Sequence, residues 1–187
     1  MITALCIADR PPRKSILTRV KEHPIDLIIT LGDLEYLQIV ELGQITDIPK
    51  IGVYGNHCTP GYMEDLGIFN LHLQIFEFNG IRFGGFEGSP RYKNDPYAKM
   101  YSEVEATALM EQLPKVNIFV SHSPPRGIND EDDPAHIGFQ ALRTYIEQKQ
   151  PRYFLHGHTY PEPDTLITKH LATEIIYING DQLVEFH

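Results

Sequence analysis

Cysteine is nearly absent from this sequence, with only Cys6 and Cys58 among 187 residues. Two are too few for the disulfide framework of a small secreted fold. Their settings, one inside an apolar run and one after Asn-His, do not make a zinc ribbon either. Both read as free thiols in a reducing cytoplasm. Long hydrophobic runs are missing too. The stretch Ile2 to Ala8 has no basic region before it and is closed by Asp9, so it reads as neither a signal peptide nor a membrane span. Nothing else approaches the roughly 18 apolar residues that a span needs. Positive charge is scarce: 16 Lys and Arg face 25 Asp and Glu, a net charge of -9. That field opposes a grip on phosphate backbones, which disfavours bulk nucleic-acid binding but leaves room for a local anion site. No internal repeat or low-complexity linker is visible.

What is present is ordinary globular material, 42% hydrophobic and 22% charged, which excludes disorder, collagen and coiled coil. At about 150 residues per domain, the length predicts one domain spanning 1–187. Short apolar runs alternate with amphipathic stretches. Ile2 to Ile7, Ile25 to Leu31 and Ile48 to Tyr54 read as buried strands, with helices over Pro12 to His23 and Glu35 to Leu42 between them. That alternation predicts a largely parallel sheet in an α/β fold. Leu71 to Phe83 reads as a hairpin turning at Asn79-Gly80, and Gly84 to Tyr97 as a surface loop. Ser102 with Glu105 is a capping box opening a helix to about Leu113. A strand is expected over Asn117 to Ser121, an acidic loop over Ile128 to Pro134, a helix over Phe139 to Gln148 and a strand over Tyr153 to His156. A second Asn-Gly hairpin is expected at Asn179-Gly180.

Polar residues with ligand chemistry fall just after one apolar strand after another: Asp9, Asp33, Asn56 with His57, His122 and His158. In open α/β sheets, ligands bind outside the carboxyl ends of the strands, so five strands would deliver these side chains to one rim. Each feature alone is usually a cap, a turn or a satisfied polar residue; five together point to a site. Two carboxylates, one amide and two imidazoles form an oxygen and nitrogen donor set suited to Mn, Fe or Zn rather than a thiolate site.

Asp9-Arg10-Pro11, Gly32-Asp33, Gly55-Asn56-His57-Cys58, the strand ending in His122 and Gly157-His158-Thr159-Tyr160 resemble, in order and spacing, the motifs of the calcineurin-like metallophosphoesterases. The likeness covers residues 2 to 186. Ser121 to Tyr160 is similar in particular to the Icc-related branch, through His122-Ser123-Pro124-Pro125-Arg126-Gly127, His136-Ile137-Gly138 and Gly157-His158. The resemblance implies a four-layer α-β-β-α sandwich of two mixed sheets flanked by helices. It also implies a divalent cofactor, one ion or two. One metal position would be held by Asp33, Asn56, His122 and His158. The other would use Asp9 and Asp33 with histidines that this chain lacks, since Pro11 and Tyr160 stand in their places. His57 would be the residue acting on the leaving oxygen, with Cys58 where a carboxylate often orients it.

Losing two imidazoles should weaken one metal position far more than the other. Three readings follow: an enzyme working with one ion, an enzyme in which Tyr36 and Tyr160 replace the missing ligands, or a degenerate site on a binding or scaffold module. Gly32-Asp33-Leu34-Glu35-Tyr36 has the spacing of the purple acid phosphatases, whose Tyr binds iron; against that, Tyr36 packs on the following helix. Arg10 and Arg126 are candidate phosphate clamps, with Arg126 read rather as a surface charge. His136 is a candidate pocket residue, and His156 and His72 are read as structural. Glu131, Asp132 and Asp133 make the rim acidic, so a small phosphoester is the expected substrate, and the resemblance to the Icc-related branch implies a phosphodiester before a monoester. The edge strands of the hairpins leave a homodimer open.

Overall fold

The computed structural model describes residues 1–187. Its architecture follows from which face of each strand is apolar. In the strand Ile2–Ala8 (β1), Ala4, Cys6 and Ala8 face one buried cluster and Leu5 and Ile7 face another. The same alternation recurs in Leu27–Thr30 (β2), where Leu27 and Ile29 oppose Ile28. Strands buried on both faces need a layer on each side, which is why their sequences read as continuous apolar runs. One layer is helical: Ile16–Glu22 (α1), Tyr36–Ile39 (α2) and Tyr62–Leu66 (α3). The other is a second sheet.

The first sheet has the order β13-β1-β2-β3-β4, with Lys50–Gly52 as β3, Phe69–Asn70 as β4 and Gly180–Phe186 as β13. Strands β1 to β4 are parallel, and β13 closes antiparallel on β1 with Ile2 opposite Phe186. The second sheet has the order β11-β12-β10-β9-β6-β5. Its strands are Ile75–Phe78 (β5), Ile81–Phe86 (β6), Ile118–Ser121 (β9), Tyr153–His156 (β10), Lys169–His170 (β11) and Thr173–Tyr177 (β12). Ser89–Pro90 (β7) and Met100–Tyr101 (β8) form a small ladder apart from both. The sheets meet face to face through Ile29, Val53, Phe83, Val120 and Leu155. The outer face of the second sheet, with Phe119 and Phe154, is covered by Glu103–Met110 (α4) and Gln140–Lys149 (α5). Three apolar clusters therefore separate four layers, the sandwich of two mixed sheets flanked by helices.

The hairpin at Asn79-Gly80 forms as expected: both residues have positive φ, 50° and 74°, as a two-residue primed turn requires. Asn179-Gly180 does not form one. Only Gly180 is left-handed there, at φ 79°. The chain instead leaves β12, which pairs parallel with β10 in the second sheet, and enters β13 in the first. Buried Ile178 fills the gap between the sheets at the crossing.

The first helix starts later than expected, at Ile16, because the Ser15 hydroxyl accepts the Thr18 N–H and caps it after the two prolines. The Glu35–Leu42 segment is a single α-turn followed by 3-10 helix over Val40–Gln44. The surface loop expected from Gly84 is a surface only past Pro90, since Gly84 to Ser89 are buried as the end of β6 and its continuation. No helix is long and apolar enough to cross a membrane.

Candidate active site

The five strand-end residues gather at one rim of the sandwich, and the backbone that carries them is unusual. Asp9 follows β1, Asp33 follows β2 and His158 follows β10, and all three are left-handed, with φ 61°, 51° and 71°. Non-glycine residues in that region are costly and persist where the surroundings over-determine them. Close approach of glycines sets these surroundings. A Cβ on Gly32 would overlap the Gly55 backbone and crowd the His122 ring. One on Gly55 would strike the Asp33 carboxylate, and one on Gly157 that of Asp9.

His122 is fully buried, and its Nδ1 donates to the Leu31 carbonyl at 2.8 Å. A carbonyl only accepts, so the proton sits on Nδ1 and Nε2 is left facing Asn56 Oδ1 at 3.1 Å and Asp33 Oδ1 at 3.5 Å. His158 is held in the opposite sense: its Nε2 donates to the Ala135 carbonyl at 2.8 Å, which frees Nδ1. The two rings lie 4.6 Å apart between centroids. Asp33, His122 and His158 each offer a donor atom within 4.8 Å of the others. Asp9 accepts the main-chain N–H of His158 on both oxygens, at 3.1 and 3.0 Å. Asp33 Oδ1 accepts the His57 N–H at 2.8 Å.

Electrostatically the cluster is short of positive charge. Burial disfavours the imidazolium of His122, yet Asp33 and Asp9 outweigh it and raise its pKa to about 9. Burial would raise Asp33, but His122 and the His57 N–H hold it far below the ordinary carboxylate range. Asp9 is pushed up to about 6 by burial, against the pull of His122. His158 is pushed down to about 3 by burial and by its neighbour His122. A buried set that draws a proton onto one imidazole against desolvation is a set suited to a cation. Two imidazole nitrogens with fixed tautomers, a carboxylate and an amide oxygen fit a divalent metal ion.

The remaining sequence candidates sit around this cluster in different ways. The His57 ring is at the solvent side, with Nε2 3.2 Å from the Tyr92 hydroxyl. The His136 ring is 5.2 Å from that of His158, and its Nδ1 is 2.8 Å from Asp133 Oδ2. Tyr160 is half exposed at the rim, beneath the Arg10 guanidinium at 5.7 Å from its ring centroid. Tyr36 is placed otherwise, its ring packed against the core cluster beneath α1 to α3. Arg126 lies on the surface beside Asp130 at 3.8 Å. His156 is buried, bonded through Nε2 to the Asn129 amide at 3.0 Å, and pushed down to about 4 by that burial.

Sequence reasoning missed four contributions. Cys58 Sγ accepts the N–H groups of both Asp33 and Gly55, at 3.1 and 3.0 Å, and so ties the two loops that carry Asp33 and Asn56. Burial pushes its thiol up to about 11, so it acts as a neutral acceptor. The carbonyls of Leu31 and Ala135 orient the two imidazoles, and Tyr92 orients His57. None of these has a signature in residue type, because each acts through the backbone or from a loop.

A profile of the calcineurin-like phosphoesterase superfamily domain matches residues 8–179. Among curated proteins, none matches this chain. One solved structure aligns over 99% of both chains at 15% identity with a TM-score of 0.68. The crystal structure of TT1561 of Thermus thermophilus aligns over 96% of this chain and 89% of its own, at 16% identity with a TM-score of 0.59. These likenesses speak for the fold, and the profile, spanning all five strand-end positions, speaks for the lineage. The chain belongs to the calcineurin-like phosphoesterase superfamily.

Proposed function

We propose that this protein is a metal-dependent hydrolase of a small phosphoester, a phosphodiester before a monoester, with a reduced first metal position. The observation that carries the reading is the pair of fixed tautomers. Leu31 and Ala135 each take one imidazole N–H and so leave one nitrogen of His122 and one of His158 free, in a cluster that Asp33 and Asn56 complete. Mn, Fe or Zn would be held there. Such an ion, when bound, supplies Lewis-acid polarisation of a phosphoryl oxygen and lowers the pKa of water.

The chain's own residues do the rest. His57, tied through its main chain to Asp33 and through its ring to Tyr92, stands where it would deliver a proton to the departing ester oxygen. Asp133 fixes the His136 ring beside His158, at the edge a substrate must pass. Glu131 and Asp133 make this rim negative, which favours a compact substrate over a polyanion.

The test is turnover of bis-p-nitrophenyl phosphate and p-nitrophenyl phosphate by protein stripped with chelator and reloaded with Mn. Asp33→Asn and His158→Ala should lose metal and turnover together. His57→Ala should keep its metal and lose about 100- to 10,000-fold in rate. Turnover that survives chelation would contradict the reading. No metal and no turnover across Mn, Fe, Zn and Co would favour a scaffold module instead, the reading to which Pro11 and Tyr160 lend support.

A further inference from the structure

We infer that this chain works with one divalent ion, and that the Arg10 guanidinium occupies the charge position of the second, gripping the phosphoryl oxygens directly. The inference rests on the hydrolytic reading above and deepens it by assigning the phosphate grip to a side chain. A second ion beside Asp33 would lack imidazoles, because Pro11 and Tyr160 occupy those places. The carboxylate left on that side, Asp9, already has both oxygens engaged by the His158 N–H.

Over Tyr160, at the place of one missing imidazole, the chain sets a positive charge of its own. The left-handed backbone of Asp9 precedes Arg10, whose guanidinium lies over the Tyr160 ring at 5.7 Å from the centroid. Arg10, like Arg13, Arg82 and Arg152, is in no ion pair, but among these it alone lies beside Asp9 and over Tyr160, with its donor fork free. An aromatic face steadies a guanidinium without using its N–H groups. A planar fork of N–H donors matches two phosphate oxygens at once, which a lysine does not. A guanidinium and a divalent ion in one small space repel each other, so the two are alternatives. The departures at positions 11 and 160 and the free arginine at position 10 then have one explanation.

Metal-free protein titrated with MnCl2 and followed by calorimetry and electron paramagnetic resonance should take up one ion per chain, with the spectrum of an isolated ion. Inorganic phosphate titrated into the Mn-loaded protein should bind about 10-fold or more weakly in Arg10→Ala, with the metal count unchanged. Arg10→Lys should fall between the two. The triple variant Arg10→Ala, Pro11→His, Tyr160→His, its two histidines at exposed positions, should take up a second ion and show a spin-coupled pair. Two ions in the unmodified chain overturn the inference, and so does unchanged phosphate affinity in Arg10→Ala. A triple variant that stays at one ion contradicts the reason given for the loss. No ion at all would sink the metal reading itself, which separates that failure from this one.

Discussion

The main-chain N–H of His158 donates to both carboxylate oxygens of Asp9, across 149 positions of sequence. This bond joins the end of the first strand, β1, to the last turn of the site, and so couples the two sheets at the rim. Asp9→Ala removes the acceptor and leaves a largely buried N–H unbonded, at a cost of about 1–3 kcal/mol. For a chain of this length that is roughly a 2–4 °C fall in Tm per kcal/mol. Asp9→Asn keeps an acceptor oxygen and should lose less. Thermal unfolding of the metal-free variants checks the order; equal Tm values would show that the bond contributes nothing.

The glycines predict a contrast. Gly32 and Gly80 are both left-handed, at φ 94° and 74°, but a Cβ on Gly32 meets the Gly55 backbone whereas one on Gly80 meets nothing within 4 Å. Gly80→Ala should cost about 1–2 kcal/mol for the conformation alone. Gly32→Ala should exceed about 4 kcal/mol or prevent soluble expression, because backbone has to move. Urea unfolding of the pair measures the difference, and similar values would refute the packing argument.

Asp181, outside the candidate site, adds a pH-dependent contribution to stability. Burial would raise its carboxyl, but the Arg13 N–H at 2.7 Å and the Arg19 guanidinium at 2.6 and 2.8 Å hold it below the ordinary value. With the folded pKa depressed, the contribution is present above the unfolded value of about 3.9 and is lost as pH falls through the folded one. Asp181→Asn should therefore cost about 2 kcal/mol at pH 7 and progressively less below pH 4. A gap that stays constant down to pH 3 would show that the carboxylate's charge is not what matters.

Tyr36 packs against the apolar cluster under the helices. Tyr36→Phe should leave metal uptake unchanged, and the iron-loaded protein should show no visible charge-transfer band that this substitution removes. Such a band, lost in Tyr36→Phe, would restore the phenolate reading.

The sequence disclosed which strand-end residues gather better than it disclosed the chain's path. Asp9, Asp33, Asn56, His122 and His158 were legible because each closes an apolar run, and strand ends on one side of a sheet share a rim. The four layers were legible only through the resemblance, since a strand buried on both faces does not say what covers it. The two Asn-Gly pairs mark the boundary of what local pattern decides. Asn79 adopts the left-handed form and makes a hairpin, whereas the segment at Asn179 is drawn apart by two different partners, β10 and β1.

Buried polar groups were equally hidden. Glu87, placed by the sequence in a surface loop, is buried, accepting the Tyr101 hydroxyl at 2.7 Å with Lys99 at 3.2 Å. Its partners come from a distant segment, and no local pattern announces them.

The most direct test of the central claim is anomalous diffraction from a crystal of the protein grown with Mn. The account predicts one strong peak in contact with Asp33, Asn56, His122 Nε2 and His158 Nδ1. A crystal with no peak there, or with its Mn held elsewhere, would contradict it.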